Sequence, residues 1–132
     1  MDTAARFLAT AANRFLGTRL IESSPHRTKL ELPLSAQFVQ EEGVVHGGVI
    51  AMLADTASVY LVLPQMQPNQ TATSIEFKLN FLSAARPDGA ALTAEAVPVK
   101  LGRTIAVCEC EVRQGTNLVA KGLFTYLIRE RT

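Results

Sequence analysis

The 132-residue sequence has no excess of charge of either sign, and charged residues make up only 19% of it. A formal net charge of +1 supplies neither the basic surface that nucleic acid requires nor an acidic tail. Hydrophobic residues account for 48% of the chain, which is an ordinary globular composition and not that of a disordered protein. The length is that of one domain with a single sizeable core.

Cysteine and histidine are also scarce, with two residues of each: Cys108, Cys110, His26 and His46. The cysteines lie two apart on a predicted strand, so both side chains point to one face, which is poor geometry for a disulfide between them. The four residues do not fall at the spacing of a zinc site, so the sequence predicts no metal. Reduced thiols favour a cytoplasmic location.

Several other signals are missing. The sequence contains no linker, internal repeat or low-complexity segment, which predicts one domain over residues 1–132. The N-terminus lacks the charged segment and unbroken apolar core of a signal peptide. No G-x-S-x-G motif is present, which argues against a Ser-His-Asp hydrolase.

Two segments are predicted to be helical. Residues 3–16, approximately, predict an N-terminal helix, and residues 47–63, approximately, predict a central helix that is apolar nearly all round and therefore buried on most sides. The central segment is shorter than the roughly 20 apolar residues that span a membrane, and it contains an acid, so no membrane span is predicted. The apolar face predicted for the N-terminal helix consists of Ala4, Phe7, Leu8, Ala11 and Phe15.

Alternating residues predict strands on both sides of the central helix. The segment "HRTKLELPL" precedes it, and "TSIEFKLNFL", "AALTAEAVPVK", "TIAVCECEVR" and "LVAKGLFTYLI" follow it at the spacing of consecutive antiparallel strands. A helix that is apolar all round needs a sheet wrapped about it. The predicted fold class is therefore α+β, with one curved antiparallel sheet around a central helix. On the first strand after the helix, one face is predicted to carry Ile75, Phe77, Leu79 and Phe81.

The segment "GVVHGGVIAMLADTASVYLVL" places an acid, Asp55, inside this apolar helix. A buried carboxylate costs several kcal/mol, on the order of the usual polar-burial penalties, unless it is hydrogen-bonded or faces a cavity. One interpretation is a structural acid bonded to the hydroxyl of Thr56 or Ser58. The other is a general base or nucleophile at a cleft. The residues alone leave both open.

The start of the same helix carries two glycines, Gly47 and Gly48. The first N–H groups of a helix have no intrahelical partners, and glycine lets another group approach them, so this position can bind an anion or polarise a carbonyl. A structural turn is the alternative. Gly47 and Asp55 are separated by roughly 12 Å at 1.5 Å per residue, too far to act on one carbonyl in the same chain. If they cooperate, two copies related by a two-fold axis must share the site.

The segment "GVVHGGVIAMLADTA" resembles the His-Gly-Gly helix of the hotdog-fold acyl-CoA thioesterases, particularly the phenylacetate-pathway type. "TSIEFKLNFLSAA" is similar to the strand that follows in that family, and "KLGRTIAVCECEV" and "GTNLVAKGLFTY" to its closing strands. The resemblance covers roughly residues 36–128. It implies a hotdog fold, assembly as a homodimer or as a homotetramer made of two dimers, and hydrolysis of acyl-CoA. No cofactor is implied, since CoA is part of the substrate.

The resemblance also implies roles for single residues. Asp55 is implied to be the general base or nucleophile, the Gly47 N–H to polarise the thioester carbonyl, and His46 to help set that end of the site. Gln40 occupies a position that is Asn or Gln in relatives, where Gln tends to accompany Glu at the acid position. This chain combines Gln40 with Asp55, which leaves open whether the acid acts on water or on the thioester.

Four further residues are implied to contact the substrate. Gly48 belongs to the helix start, and Ser74 matches a position that assists in some members. Gly102 and Arg103 match a turn that commonly lies near the CoA nucleotide, and an Arg beside exposed backbone suits phosphate.

Two other functions are compatible with the same fold. A hotdog module that binds acyl-CoA without hydrolysing it is one, although a buried acid aimed at an electrophile favours an enzyme. A hydratase or dehydratase is the other, but relatives of that type use a catalytic histidine in a different local pattern. The fold cannot separate these functions, because function depends on the site. The acyl group is not specified by the sequence.

Overall fold

A computed structural model describes residues 2–132. These residues form three α-helices and six strands, with short 3-10 turns at Ala36–Phe38 and Leu63–Gln65. The elements in chain order are α1 (Thr3–Ala9), α2 (Ala11–Leu16), β1 (Arg19–Ser23), β2 (Thr28–Leu32), α3 (Gly47–Val62), β3 (Gln70–Phe81), β4 (Leu92–Leu101), β5 (Ile105–Gln114) and β6 (Asn117–Glu130).

The strands form one sheet in the order β1-β2-β4-β5-β6-β3, and every neighbouring pair is antiparallel. Helix α3 lies across the inner face of this sheet and packs mainly against β2, β4 and β5, with fewer contacts to β3 and β6. The predicted α+β hotdog architecture is confirmed. The inner face over β3 and β6 is therefore only partly covered by the chain's own helix.

The core lies between α3 and the sheet. On β5 every second residue from Ala106 to Val112 is fully buried, because successive strand side chains alternate between the two faces. Leu30 and Leu32 of β2 are buried in the same way, as the alternation in the sequence predicts. Helix α3 is the apolar core helix, and its most deeply buried residues include Leu53, Ala54, Ala57 and Leu61.

The predicted N-terminal helix over 3–16 is divided in two at Thr10. Thr10 has an extended backbone with φ −77° and ψ 119°, and its hydroxyl donates to the Arg6 carbonyl over 2.9 Å, which closes the last turn of α1. The chain changes direction there, so one apolar face cannot continue through both helices. As a result Leu8 and Phe15 are 66% and 86% exposed, contrary to the prediction, whereas Phe7 is buried.

Two other features differ from the prediction. The sequence does not predict strand β1. It is a short edge strand with no fully buried face, since its residues alternate only between exposed and half-buried. In β3 the pairing with β6 shifts register between Ser74 and Glu76, so Ile75 lies in a bulge. The single face predicted for Ile75, Phe77, Leu79 and Phe81 is interrupted at that point.

Strand β3 approaches β6 unusually closely at Gly122. A Cβ atom on this residue would lie 2.1 Å from the Lys78 carbonyl oxygen and 2.9 Å from the Leu79 Cα. Only glycine fits at such a distance.

Candidate functional site

The start of α3 is capped by His46. The His46 Nδ1 accepts a hydrogen bond from the Gly48 N–H over 2.7 Å, and the His46 N–H donates to the Phe38 carbonyl over 2.7 Å. Because Nδ1 is an acceptor, a neutral His46 ring carries its proton on Nε2. Histidine thus replaces the usual Ser, Thr, Asp or Asn cap.

This cap leaves the Gly47 N–H as the available donor. Val49 and Ile50 donate to the His46 carbonyl, and Gly48 donates to the His46 ring. The Gly47 N–H has no acceptor within residues 2–132. The first N–H of a 16-residue helix therefore points out with the positive end of the helix dipole behind it.

A cavity of about 360 Å³ opens beside this donor. Gln40, Gly47 and Phe81 all line it, and a Cβ on Gly47 would lie 3.3 Å from the Phe81 ring. The Gln40 side-chain oxygen accepts the Glu42 N–H within its own loop. Its amide NH₂ donates to no acceptor in the described part of the chain. The structure thus brings Gln40, His46, Gly47 and Gly48 together at one end of α3.

Asp55 is half-buried in the middle of α3, and its partner is Tyr126. The Tyr126 hydroxyl donates to the Asp55 Oδ1 over 2.7 Å and lies 3.0 Å from the Asp55 main-chain oxygen. The hydroxyls of Thr56 and Ser58 instead donate back to the carbonyls one turn earlier, over 2.7 and 2.9 Å. The interpretation in which Thr56 or Ser58 satisfies Asp55 is therefore wrong.

Tyr126 remains a proton donor at this position. Burial, together with the Asp55 charge and the hydrogen bond to it, raises the pKa of Tyr126 well above its usual range. Tyr126 was not among the predicted site residues. A usable signal was present, since a buried tyrosine hydroxyl needs a partner and the only acid on the facing helix is Asp55.

Ser74 lies next to this pair. It is the cross-strand partner of Tyr126 in the β3–β6 ladder, so both side chains belong to the same face of the sheet. Ser74 is exposed on the outermost strand. Asp55, Tyr126 and Ser74 thus form a second cluster, in the middle of α3.

Gly102 and Arg103 lie at a third location, near the C-terminal end of α3. They line another cavity of about 360 Å³ with Val62, Gln65 and residues of the following loop. The Gly102 N–H donates to the Ile105 carbonyl, which closes the turn. One chain therefore does not bring the predicted CoA-binding turn to the free N–H of Gly47, because α3 lies between them.

The two cysteines take no part in any of these clusters. Cys108 and Cys110 are free thiols that both face the core from β5. Burial raises the pKa of each to about 12. They remain protonated at neutral pH and behave as small apolar side chains.

A profile of the Thioesterase superfamily matches residues 42–121, which include the start of α3 and Asp55. The chain belongs to the thioesterase superfamily. A curated relative from Deinococcus radiodurans whose name contains the word esterase is 33% identical over 116 residues, covering 88% of this chain and 76% of the relative.

Two further proteins are similar to this chain. Acyl-coenzyme A thioesterase 13 of Mus musculus is 25% identical over 108 residues, covering 80% of this chain and 76% of that protein. The solved structure of E. coli PaaI, from the phenylacetic acid degradation operon, superposes with a TM-score of 0.88 at 24% identity, covering 97% of this chain and 91% of that chain. The likeness to PaaI shows the hotdog fold. Family membership identifies the chain as a thioester hydrolase.

Proposed function

We propose that this thioesterase hydrolyses acyl-CoA, with Asp55 as the reacting carboxylate and the Gly47 N–H as the donor that polarises the thioester carbonyl. The observation that carries the proposal is the hydrogen bonding and the partial burial of the Asp55 carboxylate. One carboxylate oxygen is anchored by Tyr126, the other has no protein partner within residues 2–132, and the side chain is only half-buried. A carboxylate with one oxygen held by the protein and the other accessible can act as a base or a nucleophile.

The chemistry needs these groups and water. Either Asp55 removes a proton from a water molecule whose oxygen then bonds to the thioester carbon, or the carboxylate bonds to that carbon and water hydrolyses the resulting anhydride. In both routes the carbonyl oxygen becomes negative and is stabilised by the Gly47 N–H and the helix dipole. The C–S bond then breaks, CoA leaves as the thiolate, and the acyl group is released as a carboxylic acid. Neither route calls for a metal or another cofactor.

The separation of Gly47 from Asp55 along α3 means that the proposed site is shared by two subunits. Gly47 and Asp55 of one chain are roughly 12 Å apart along the helix axis. The Gly47 of one copy must therefore meet the Asp55 of another, as a two-fold dimer allows. Gln40, His46 and Gly48 come with the first copy, and Ser74 and Tyr126 with the second.

Strand β3 is the surface that we propose for the dimer. It is a 12-residue edge strand whose outer backbone has no pairing partner within residues 2–132, and long unprotected edges attract a further strand. Phe77 stacks on Phe124 on the inner face with ring centroids 5.1 Å apart and remains 47% exposed. A second copy would cover both the edge and the exposed part of Phe77.

The positions of residues along β3 also indicate a register. Phe81 lies against Gly47, and Ser74 lies opposite Tyr126, which binds Asp55. Antiparallel pairing of two β3 strands centred on Lys78 would place Phe77 of one copy opposite Leu79 of the other, and the bulge at Ile75 would then place Ser74 opposite Phe81. The same pairing brings the Gly47 end of one helix towards the Asp55 of its neighbour.

Acyl-CoA is supported as the substrate by two features. The mouse relative is named an acyl-coenzyme A thioesterase. The turn at Gly102 and Arg103 borders a cavity at the far end of α3, and a guanidinium group there suits a CoA phosphate. A homotetramer made of two such dimers and a cytoplasmic location remain predictions.

The proposal is tested by the release of free thiol from a panel of acyl-CoAs that contains short and long fatty acyl, phenylacetyl and benzoyl thioesters. We expect catalytic turnover of at least one class. Binding of the CoA esters without thiol release would contradict the proposal and would favour the non-catalytic binding module.

A further inference from the structure

The pairing of Tyr126 with Asp55 has a consequence for catalysis. We propose that Tyr126 is a positioning residue that anchors the Asp55 Oδ1, so that the Oδ2 is the oxygen that reacts. This inference rests on the proposed function, since it assigns a role within the same site.

Tyr126 is held more rigidly than the acid that it contacts. It lies on β6, which is paired on both sides, with Ala106 of β5 and Ser74 of β3 as its cross-strand partners. The residue is 1% exposed, so its side chain is closely packed on all sides. The hydroxyl is therefore a fixed point of the sheet, whereas Asp55 belongs to the helix.

The hydrogen-bond geometry distinguishes the two carboxylate oxygens. The hydroxyl has one proton, and the 2.7 Å contact to the Asp55 Oδ1 is the shorter of its two contacts with Asp55. A hydrogen bond from a hydroxyl to a carboxylate is charge-assisted and strong. The nearby main-chain oxygen of Asp55, at 3.0 Å, keeps the same hydroxyl against the helix.

Anchoring one oxygen matters because an aspartate carboxylate is otherwise poorly oriented. The χ2 torsion of aspartate has a broad, roughly two-fold energy profile, so a free carboxylate presents either oxygen over a range of angles. Catalysis by a base or nucleophile depends on the angle and distance of one atom. Tyr126 removes this freedom without occupying the reacting oxygen.

The test is the variant Tyr126→Phe, which keeps the ring and removes only the hydroxyl. We expect kcat to fall by about 10- to 100-fold with KM changed by less than about threefold, the effect of losing one charge-assisted hydrogen bond that orients a reacting group. The matched control is Tyr60→Phe. Tyr60 is also buried, and its hydroxyl bonds Thr10 and Asn13 and does not bond Asp55. The kcat of Tyr60→Phe should stay within about twofold of wild type.

A double variant separates positioning from a merely structural role. In the Asp55→Asn background, Tyr126→Phe should change the residual rate by less than about twofold, because Tyr126 acts through the lost carboxylate. The inference is wrong, while the proposed function stands, if the rate reductions of Asp55→Asn and Tyr126→Phe multiply in the double variant. The same holds if Tyr126→Phe is as active as Tyr60→Phe. If the wild type releases no thiol from any acyl-CoA, both fail.

A second measurement applies if Tyr126→Phe does not fold. The chain has two tyrosines, so Tyr60→Phe leaves Tyr126 as the only one. Production of this variant with fluorotyrosine then places one fluorine label beside the hydroxyl in question. Its fluorine NMR resonance should shift on Asp55→Asn and stay unchanged on Asp88→Asn. A resonance that does not respond to Asp55→Asn overturns the proposal.

Discussion

Replacing Asp55 by asparagine is expected to lower kcat for acyl-CoA hydrolysis by about 100- to 10,000-fold, the range for removal of a general base. The carboxamide cannot accept a proton from water or attack the thioester, but it has nearly the same shape. Its oxygen can still accept the Tyr126 hydroxyl hydrogen bond, which is 2.7 Å long in the native protein. Steady-state thiol release measures the loss, and thermal unfolding should show that the variant is folded.

The matched control for this change is Asp88→Asn. Asp88 is an exposed aspartate in the turn before β4, and removal of its charge alters the net charge of the chain by the same amount. We expect this variant to have wild-type kcat. An Asp55→Asn protein that is folded and as active as Asp88→Asn would show that the acid is structural.

Replacing Gly47 by proline is expected to lower kcat by about 100- to 1,000-fold, the cost of removing one donor from an oxyanion site. Proline deletes the N–H and is favoured at the first position of a helix, so α3 should still form. The residue before it, His46, already has the extended backbone that a following proline requires, with φ −61° and ψ 134°. The assay is again steady-state thiol release.

Gly47→Ala is the control that separates the donor from the space around it. Alanine adds the same Cβ, which meets the Phe81 ring at 3.3 Å, but it retains the N–H. We expect Gly47→Ala to retain most of the activity that Gly47→Pro loses. Equal losses in the two variants would mean that the space beside Phe81, and not the donor, is what matters.

The central helix could be predicted from the sequence because its pattern is extreme. Residues 47–63 are apolar nearly all round, and the observed helix Gly47–Val62 is followed directly by a turn that contains Pro64. A segment of that kind is stable only inside a sheet, which is why the fold class could be predicted as well. The N-terminal helix could not be predicted in detail, because the break at Thr10 depends on one hydroxyl bonding the Arg6 carbonyl.

The candidate site could be predicted most directly where it is local in the sequence. Gly47, Gly48 and His46 are consecutive, and their relation follows from the geometry of a helix start. The partner of Asp55 is 71 residues away, and the β6 register brings it to the helix. The periodicity of β6 indicates which residues face inward, and among these only the need of a buried tyrosine hydroxyl for a partner points from Tyr126 to Asp55.

The central claim is that Gly47 of one subunit acts with Asp55 of another. Mixed dimers of Asp55→Asn and Gly47→Pro chains, purified through two different affinity tags, test it most directly. In a shared arrangement one of the two sites combines an intact Gly47 with an intact Asp55, so the mixed dimer should recover about half of the wild-type kcat per dimer. A mixed dimer that is no more active than either parent variant would contradict the shared site.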